Sequence, residues 1–361
     1  MAARDRTGPR GDVGRRPGRS TLASGPSPRS ATASPPAGSR AVTSLVIDTD
    51  PGVDDAQAIM LAFAHPGATV HALTVVAGNV GLDRTVANAC TILDALGAPP
   101  GAPPVFAGCA GPLLGARVAA TSHGSDGLGD GGFPASTRPV EAEHAALALT
   151  RLGRASPGAL TLVTIGPLTN LALALTLDPD LPRRYRRLVV MGGAVRGTGN
   201  MPSPSTEFNM RSDPEAAAIV LGRWPELTLV PWETVMRYPI ALERLEELTS
   251  GPGRRALFLR RITRDRPHHV QTHFAVAGIF AADPLAMAVA VEPGIVTRSE
   301  RRHVTVELAG PSTRGQTTVD WFGFGGGTPN ADVVLEVDGD RFRELMQAAV
   351  TGTPGVKPGA G

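Results

Sequence analysis

Four aspartates stand within eight residues of one another, in the segment Asp48-Thr49-Asp50-Pro51-Gly52-Val53-Asp54-Asp55-Ala56. Like charges this close repel, and few folds keep them together unless a cation collects them. Capping a helix start needs only one acid, so capping does not account for all four. A crowded set of oxygen donors carried on a loop suits a hard cation, and it suits Ca²⁺ better than Mg²⁺.

These acids lie at a predicted strand-to-helix turn. The apolar run 44–47 predicts a short buried strand, and the run 56–63 predicts a helix. Ligands of open α/β sheets bind at the carboxyl ends of the strands, so the acids are well placed for a site. Asp54 and Asp55 are about 100° apart on a helix, and we therefore expect one to serve a metal and its neighbour to serve a hydroxyl.

Strands and helices alternate through most of the chain. Further strands are predicted at 69–76, 105–106, 160–165, 187–193 and 227–230, with helices at 82–96, 141–153, from 167, from 213 and over most of 240–291. This alternation predicts an α/β fold with an open, mainly parallel sheet flanked by helices. Strict alternation at 304–307, 316–320 and 332–337 predicts a small C-terminal antiparallel addition. The Gly-rich, aperiodic stretch 108–139 predicts a functional loop.

Charge divides the chain into a basic tail and a mildly acidic body. Residues 1–40 hold eight Arg and two Asp, a balance of +6, which leaves −4 for the remainder of a chain whose net charge is +2. We expect a disordered tail over 1–40, one catalytic domain over 41–351 and a flexible tail over 352–361. Because the body is acidic, we expect no nucleic-acid partner. Because the sequence has no apolar stretch long enough to span a membrane, we expect no membrane partner and a cytoplasmic protein.

Other sites with clustered acids fit the pattern less well. An EF-hand requires Gly at its sixth position and Glu at its twelfth, whereas counting from Asp48 gives Val53 and Ile59. The main enzymatic rival is a phosphatase with an aspartyl nucleophile, which also has two Asp after a strand. Such enzymes set a cation, commonly Lys, against the phosphate, and the only lysine here is Lys357 in the C-terminal tail.

The segment 48–56 closely resembles the N-terminal signature of the inosine-uridine type nucleoside hydrolases, Ca²⁺ enzymes that cleave the N-glycosidic bond of ribonucleosides. Further blocks of that family follow in order: Ala77-Gly78-Asn79, His123-Gly124 with Gly127-Leu128-Gly129, Ile165-Gly166-Pro167-Leu168-Thr169-Asn170, Met191-Gly192-Gly193, Gly199-Asn200, Glu207-Phe208-Asn209 and Asp283-Pro284-Leu285-Ala286. The resemblance spans residues 45 to about 293 and implies the Rossmann-like fold of that family.

The resemblance also implies a role for each matching residue. Asp50 is the expected general base, and the implied Ca²⁺ ligands are Asp50, Asp55, Asp283 and the backbone carbonyl of Ile165. The implied substrate-binding residues are Asp54, Asn79 and Asn209 around the ribose 2′- and 3′-hydroxyls, Asn200 and Glu207 at the 5′-hydroxyl, and Phe208 as an apolar wall. Asp48 is expected to support the loop. The family also implies a homo-oligomer, either a dimer or a tetramer.

Two departures from the family pattern stand out. Ala282 occupies the position where many members carry a histidine that helps to protonate the departing base, so we consider His123 and His273, with His269, for leaving-group activation. Asn200 and Glu207 lie one residue farther apart than in the family pattern. The arginines between 254 and 266 are interpreted as a solvated helix face.

The sequence therefore predicts an N-ribosyl hydrolase that releases ribose and a free base from a ribonucleoside, or a related N-ribosyl compound, with one Ca²⁺. Cleaving this bond gives the ribose oxocarbenium character, which nearby anionic groups stabilise. The alternative is a nucleoside-binding protein that kept the metal site and lost its turnover with the histidine.

Overall fold

A nine-stranded sheet forms the centre of the protein in the computed structural model, which describes residues 42–352. The strands are β1 (Thr43–Thr49), β2 (Ala68–Val75), β3 (Val105–Ala107), β4 (Leu160–Thr164), β5 (Arg187–Met191), β6 (Leu227–Val230), β7 (Ile240–Ala241), β8 (Gly278–Ile279), β9 (Val296–Val306), β10 (Thr317–Asp320) and β11 (Ala331–Val337). The order in the main sheet is β10-β9-β11-β6-β5-β4-β1-β2-β3, and β7 pairs with β8 in a separate antiparallel sheet.

Neighbouring strands of the main sheet are parallel except at one edge, where β9 runs antiparallel to both β11 and β10. The predicted open, mainly parallel α/β fold is confirmed, and the C-terminal antiparallel addition extends the main sheet. The chain winds outward from β1 to β3 and then returns to place β4 on the other side of β1. This reversal opens a crevice at the carboxyl ends of β1 and β4, the usual ligand position in such sheets.

Helices cover both faces of the sheet. They are α1 (Val53–Ala64), α2 (Leu82–Leu96), α3 (Ala145–Ala155), α4 (Thr169–Leu177), α5 (Leu181–Arg184), α6 (Phe208–Ser212), α7 (Pro214–Arg223), α8 (Trp232–Val235), α9 (Leu242–Thr249), α10 (Arg254–Thr263), α11 (Arg266–Phe274), α12 (Ala282–Val291) and α13 (Gly339–Thr351). Successive residues of β1 point to opposite faces, so Leu45 and Ile47 join the core under α1, α12 and α13, and Val46 joins the core under α3, α4 and α7. This double burial explains why the strands read as continuous apolar runs.

Helix α12 is buried at every position and packs against α1. A helix that is apolar all round belongs in a core, and Asp283 is the one charged residue in this helix. The packing therefore carries an acid from late in the chain to the aspartates that open α1. Helix α13, which also packs against α1, was not predicted from the sequence.

The long loop after β3 was predicted correctly. Residues 108–144 contain no helix and no strand beyond the single bridge between Phe106 and Glu141. The described residues all belong to one compact unit. None of the helices from 42 to 352 combines the length and apolarity needed to cross a bilayer. The predicted tails over 1–40 and 352–361 lie outside the described residues, apart from Gly352.

Candidate active site

Three carboxylates meet at the carboxyl end of the sheet. Asp54 and Asp55 lie in the first turn of α1 and Asp283 lies in the first turn of α12. Each offers one oxygen, and these oxygens lie within 4.8 Å of one another. Asp50 follows the last residue of β1, close enough for the charges of Asp55 and Asp54 to raise its pKa. Four acids therefore meet where the N-termini of α1 and α12 approach the carboxyl end of β1.

The expected division between Asp54 and Asp55, with a metal for one and a hydroxyl for the other, stays a prediction. Their carboxylates nevertheless both belong to this cluster. The reason is local. Asp55 bends back over the start of α1, where its Oδ2 accepts the Gly52 N–H at 2.9 Å and its Oδ1 accepts the Thr49 hydroxyl at 2.5 Å. Asp55 is the third residue of the helix, and its side chain folds back to accept the N–H of the residue before the helix instead of pointing away from the helix axis.

Burial makes this cluster electrostatically costly. Asp50, Asp55 and Asp283 are almost fully buried, and burial is the main reason that their pKa values are raised. The pKa of Asp55 reaches about 7, with the charge of Asp54 as the second cause. The charge of Asp54 is also the second cause of the raised pKa of Asp283. Bringing a cation among these groups would remove this repulsion.

Asp50 is held rigidly. Its Oδ2 accepts the Asn79 N–H at 2.7 Å, and the Asn79 Nδ2 donates to the Asp50 carbonyl at 3.0 Å and to Asp55 Oδ2 at 3.2 Å. A Cβ at Gly166 would lie 2.6 Å from Asp50 Oδ1, and a Cβ at Gly78 would overlap Asp50 Oδ2. Two glycines therefore make room for a carboxylate whose position the Asn79 backbone fixes.

Asp48 lies beneath the site and does not line it. Its Oδ2 accepts the Thr74 hydroxyl at 2.6 Å and the Asn170 Nδ2 at 2.9 Å, and burial raises its pKa to about 7. These bonds tie β1 to β2 and α4. The position agrees with the supporting role expected of Asp48.

A cavity of about 240 Å³ opens above the acids. Most of the residues singled out in the sequence line it, together with the rim of the loop after β3 and residues 200–202. The lining residues are Asp50, Asp54, Asn79, Val118, Ala119, Ala120, Thr121, Ser122, His123, Ile165, Met191, Asn200, Met201, Pro202, Glu207, Phe208, Asn209, His269, Ala282 and Asp283. The fold thus brings together blocks that are far apart in the chain.

One side of the cavity is built around the start of α6. Glu207 caps this helix, with Oε1 accepting the Asn209 N–H and Oε2 accepting the N–H groups of Met210 and Gly193. The Asn209 Nδ2 donates to the carbonyl of Ile165 at 3.2 Å and to that of Met191 at 3.3 Å. Both Glu207 oxygens are therefore engaged in holding the backbone, although the residue lines the cavity.

The segment between Asn200 and Glu207 forms a closed loop. The Gly199 N–H donates to the Pro204 carbonyl at 2.6 Å, and the Asn200 Oδ1 accepts the Phe208 N–H at 2.9 Å. Asn200 thus lines the cavity beside Phe208.

His123 has a role that the sequence did not indicate. Its Nδ1 accepts the N–H of Val53, the first residue of α1, at 3.0 Å and lies 3.6 Å from Asp54 Oδ1. Burial, followed by the charge of Arg266, lowers its pKa to about 4. The ring is therefore neutral near pH 7 with its hydrogen on Nε2, and His123 orients the start of α1. No local signal predicts a contact across such a distance in the chain.

Two expectations for α11 need correction. His273 is exposed and does not line the cavity. His269 lies one turn earlier and lines the cavity, and its ring is tilted by 45° against that of His273, with centroids 4.4 Å apart. Arg266, interpreted from the sequence as part of a solvated helix face, is only 9% exposed. Its Nη1 donates to the Ser122 carbonyl at 3.0 Å. The helix turns Arg266 and His269 inward because α11 packs against the rim of the cavity.

The donors at the floor fit a hard divalent cation. They are all oxygens, as calcium and magnesium prefer, and they include a buried Asp54 Oδ1 that has no hydrogen-bond partner within residues 42–352. Of the implied ligands, Asp55 and Asp283 lie in the triad, Asp50 lies beside it, and the Ile165 carbonyl lines the same cavity. Asp54 contributes an oxygen to the same cluster and also lines the cavity, where the resemblance implies a sugar contact for it.

Comparisons with known proteins agree with this geometry. A family model described as "Inosine-uridine preferring nucleoside hydrolase" matches residues 45–344. The chain belongs to this family. It is 37% identical to a probable uridine nucleosidase of Oryza sativa subsp. japonica over 76% of this chain and 81% of the relative. It is also 31% identical to a pyrimidine-specific ribonucleoside hydrolase of Escherichia coli O157:H7 over 85% of this chain and 97% of the relative.

Solved structures of nucleoside hydrolases have the same fold. The structure of an inosine-guanosine nucleoside hydrolase superposes with a TM-score of 0.78 at 34% identity and covers 86% of this chain and 99% of its own. The predicted family and its N-ribosyl hydrolase class are thus confirmed. The relatives are named for pyrimidine and for purine substrates, so their names assign no base to this nucleoside hydrolase.

Proposed function

We propose that this nucleoside hydrolase uses one Ca²⁺ to hydrolyse the N-glycosidic bond of ribonucleosides, with Asp50 as the general base. The observation that supports this most is the convergence of Asp50, Asp54, Asp55 and Asp283 at the floor of a sugar-sized cavity. When bound, Ca²⁺ would acidify a water molecule and orient the ribose diol. Asp55, Asp283, Asp50 and the Ile165 carbonyl would hold it.

The chain's own groups divide the remaining work. Asp50 takes a proton from the attacking water, because its carboxylate lines the cavity and Asn79 and Gly166 hold it in one orientation. The negative charges beside it stabilise the positive charge that develops on the ribose as the bond to the base lengthens. Phe208 lines the cavity and would be an apolar wall beside the sugar.

Amide and carboxylate groups around the sugar give selectivity for ribose. Asn79, Asn209 and Asp54 line the floor and would pair with the 2′- and 3′-hydroxyls, with Asn200 and Glu207 nearer the 5′-hydroxyl. A 2′-deoxynucleoside would leave buried polar groups unpaired, which costs roughly 1–3 kcal/mol for each group. Deoxyribonucleosides are therefore expected to be poor substrates.

The deciding experiment measures reducing-sugar release from purine, pyrimidine and pyridine ribonucleosides, with Ca²⁺ and with a chelator. Ribose release that stops on chelation and returns with added Ca²⁺ supports the proposal. Release that is unaffected by a chelator refutes the calcium dependence. Titration calorimetry with Ca²⁺ alone gives an independent measure of the metal site, with Asp283→Asn as the matched variant.

A second candidate function is nucleoside binding with little or no turnover, and Ala282 favours it. Ala282 is buried, lines the cavity and offers no proton donor where many family members carry histidine. Calorimetric binding of a nucleoside without ribose release would support this candidate against catalysis. The expected homo-oligomer and cytoplasmic location remain predictions.

A further inference from the structure

A buried positive charge stands behind one wall of the cavity. Arg266, at the start of α11, is 9% exposed, and its Nη1 donates to the carbonyl of Ser122 in the cavity rim. Over the part of the chain that the structure describes, no carboxylate lies within 4.0 Å of the Arg266 guanidinium. A buried cation without a counter-ion is costly. Its position beside a binding cavity indicates that a negative charge forms there during function.

The wall in front of Arg266 contains two imidazoles, those of His123 and His269, and both line the cavity. The His123 Nδ1 accepts the Val53 N–H, so this ring is neutral with its hydrogen on Nε2. Burial, followed by the charge of Arg266, lowers the pKa of His269 to about 4. Neutral imidazoles donate one N–H hydrogen bond but are poor proton donors. This wall therefore offers a positive field and N–H donors and contains no acid that could protonate a leaving group.

The base must lie against this wall if the ribose lies on the acids, a step that rests on the proposed function. The lining residues left for the base are residues 118–123, Met201, Pro202 and His269. They provide small apolar contacts, the hydroxyls of Thr121 and Ser122, and the imidazole rings of His123 and His269. Because Ala282 also offers no proton, nothing in this part of the lining replaces the acid that a neutral leaving group would need.

We propose that the base departs as an anion, stabilised by an N–H of His269 and by the positive field of Arg266, and that the enzyme therefore favours nucleosides whose free base is acidic at the nitrogen that bonds the sugar. Uracil, which has two oxo groups, has this property more strongly than cytosine, which has one oxo and one amino group. His269 touches the leaving group, and Arg266 is a positioning residue that acts through the wall.

The electron and proton balance of this step is complete. The water oxygen forms a bond to C1′ while the bond between C1′ and the base nitrogen breaks, and the electron pair stays on that nitrogen. The water proton passes to Asp50. The released anion takes a proton from solvent after it leaves the cavity, so free base and ribose are the products.

The test compares leaving groups of graded acidity in the Ca²⁺-loaded full-length protein. Initial rates are measured for cytidine, uridine, 5-fluorouridine and 4-nitrophenyl riboside, whose leaving groups become progressively more acidic. Arg266→Gln removes the charge and keeps a donor for Ser122, and Arg266→Lys keeps the charge. Arg264→Gln, on an exposed arginine of the same region, is the control.

The proposal predicts that Arg266→Gln lowers kcat for cytidine and uridine by about 100-fold, and much less for 4-nitrophenyl riboside. His269→Ala should show the same gradient, Arg266→Lys should restore kcat to within about tenfold for every substrate, and Arg264→Gln should match the wild type. KM should change little, because the charge develops in the transition state.

Two results would overturn this inference alone. One is an equal loss of kcat on all four substrates in a folded Arg266→Gln variant, with folding checked by circular dichroism and by Ca²⁺ calorimetry. The other is a Lys variant as impaired as the Gln variant, because the positive charge would then be irrelevant. If the wild type released ribose from none of the substrates, the proposed function would fail, and the inference with it.

Discussion

The Nδ2 of Asn170 donates a hydrogen bond to the Asp48 carboxylate at 2.9 Å, from the first turn of α4 into the carboxyl end of β1. The same group donates to the Val75 carbonyl at 3.1 Å, and the Asn170 Oδ1 accepts the Cys109 N–H at 2.8 Å. One amide thus joins β1, β2, α4 and the segment after β3 directly beneath the acids.

Asn170→Leu should lower the free energy of unfolding by about 3 kcal/mol. The substitution keeps the branched shape of the side chain, at a larger volume, and leaves the Val75 carbonyl, the Cys109 N–H and part of the Asp48 carboxylate without partners. Urea unfolding measures the change, and Thr176→Ala, at an exposed position of the same helix, is the control. A loss below about 0.5 kcal/mol, the range of ordinary surface substitutions, would contradict the role given to this amide.

Asp50→Ala should abolish measurable turnover while leaving the fold intact, and Asp50→Asn should lower kcat by about 10³-fold. Both changes remove the proton acceptor, and Asn keeps the shape that packs against Gly166. Ribose release and circular dichroism give the two measurements. Asp180→Asn, at an exposed surface carboxylate, serves as the control. Wild-type rates in either Asp50 variant would exclude Asp50 as the base.

Gly166→Ala should lower kcat by about 100-fold with little effect on overall structure. The added Cβ would lie 2.6 Å from Asp50 Oδ1, so the carboxylate must move, and small misplacements of a catalytic group are costly. Gly222→Ala is the matched control, because a Cβ at Gly222 meets no atom within 4 Å. Equal activity in the two variants would show that the orientation of Asp50 does not limit the rate.

Calcium should raise the melting temperature more at pH 8 than at pH 5. Burial raises the pKa of Asp48 and Asp55 to about 7, and it also raises those of Asp50 and Asp283. Without a cation, the folded chain therefore holds more protons than the unfolded chain between about pH 4 and pH 7, and its stability falls as the pH rises through this range. Protons compete with Ca²⁺ for the carboxylates at pH 5, so the cation stabilises less there.

Thermal denaturation with Ca²⁺ and with chelator, at both pH values, tests this linkage. Asp283→Asn removes one member of the triad and should reduce the calcium-dependent shift at pH 8. A shift that is the same at pH 5 and pH 8 in the wild type would mean that the cation binds elsewhere.

Ala282→His should raise kcat for poor leaving groups such as cytidine more than for 4-nitrophenyl riboside. The position lines the cavity beside Asp283, so an imidazole there can reach the departing base. Ala282→Gln, which adds bulk without an acid, is the control for crowding. If cytidine turnover does not rise in the His variant, proton donation at this position is not the bottleneck.

The fold was readable because most elements carry their own signal. The strand at 227–230 was predicted with its observed bounds. It consists of leucine and β-branched residues, and turn-forming residues flank it. Strand β9 was predicted only near 304–307 but begins at Val296. The polar and charged residues 298–302 have no strand pattern of their own and are held in the sheet by pairing with β11. Their extended conformation is a tertiary effect that local alternation does not reveal.

Helix α13 was missed although a signal was present. Asp338 accepts the N–H groups of Asp340 and Arg341 as an N-cap, and Phe342, Leu345 and others recur on one buried face. The site contains features that no local sequence pattern could have predicted. Motif spacing identified the acids, but the burial of Arg266 depends on how α11 packs against the loop after β3, a contact between segments that are far apart in the sequence.

The packing of α12 on α1 has a consequence for biosynthesis. Three of the acids leave the ribosome early, directly after β1 and in the first turn of α1. Asp283 arrives only after most of the sheet-forming strands have been translated. A nascent chain that stops before α12 has an incomplete acidic cluster and exposes the apolar face of α1. Catalytic competence therefore appears late in synthesis, once α12 has docked, and we expect translation products that end before α12 to be inactive.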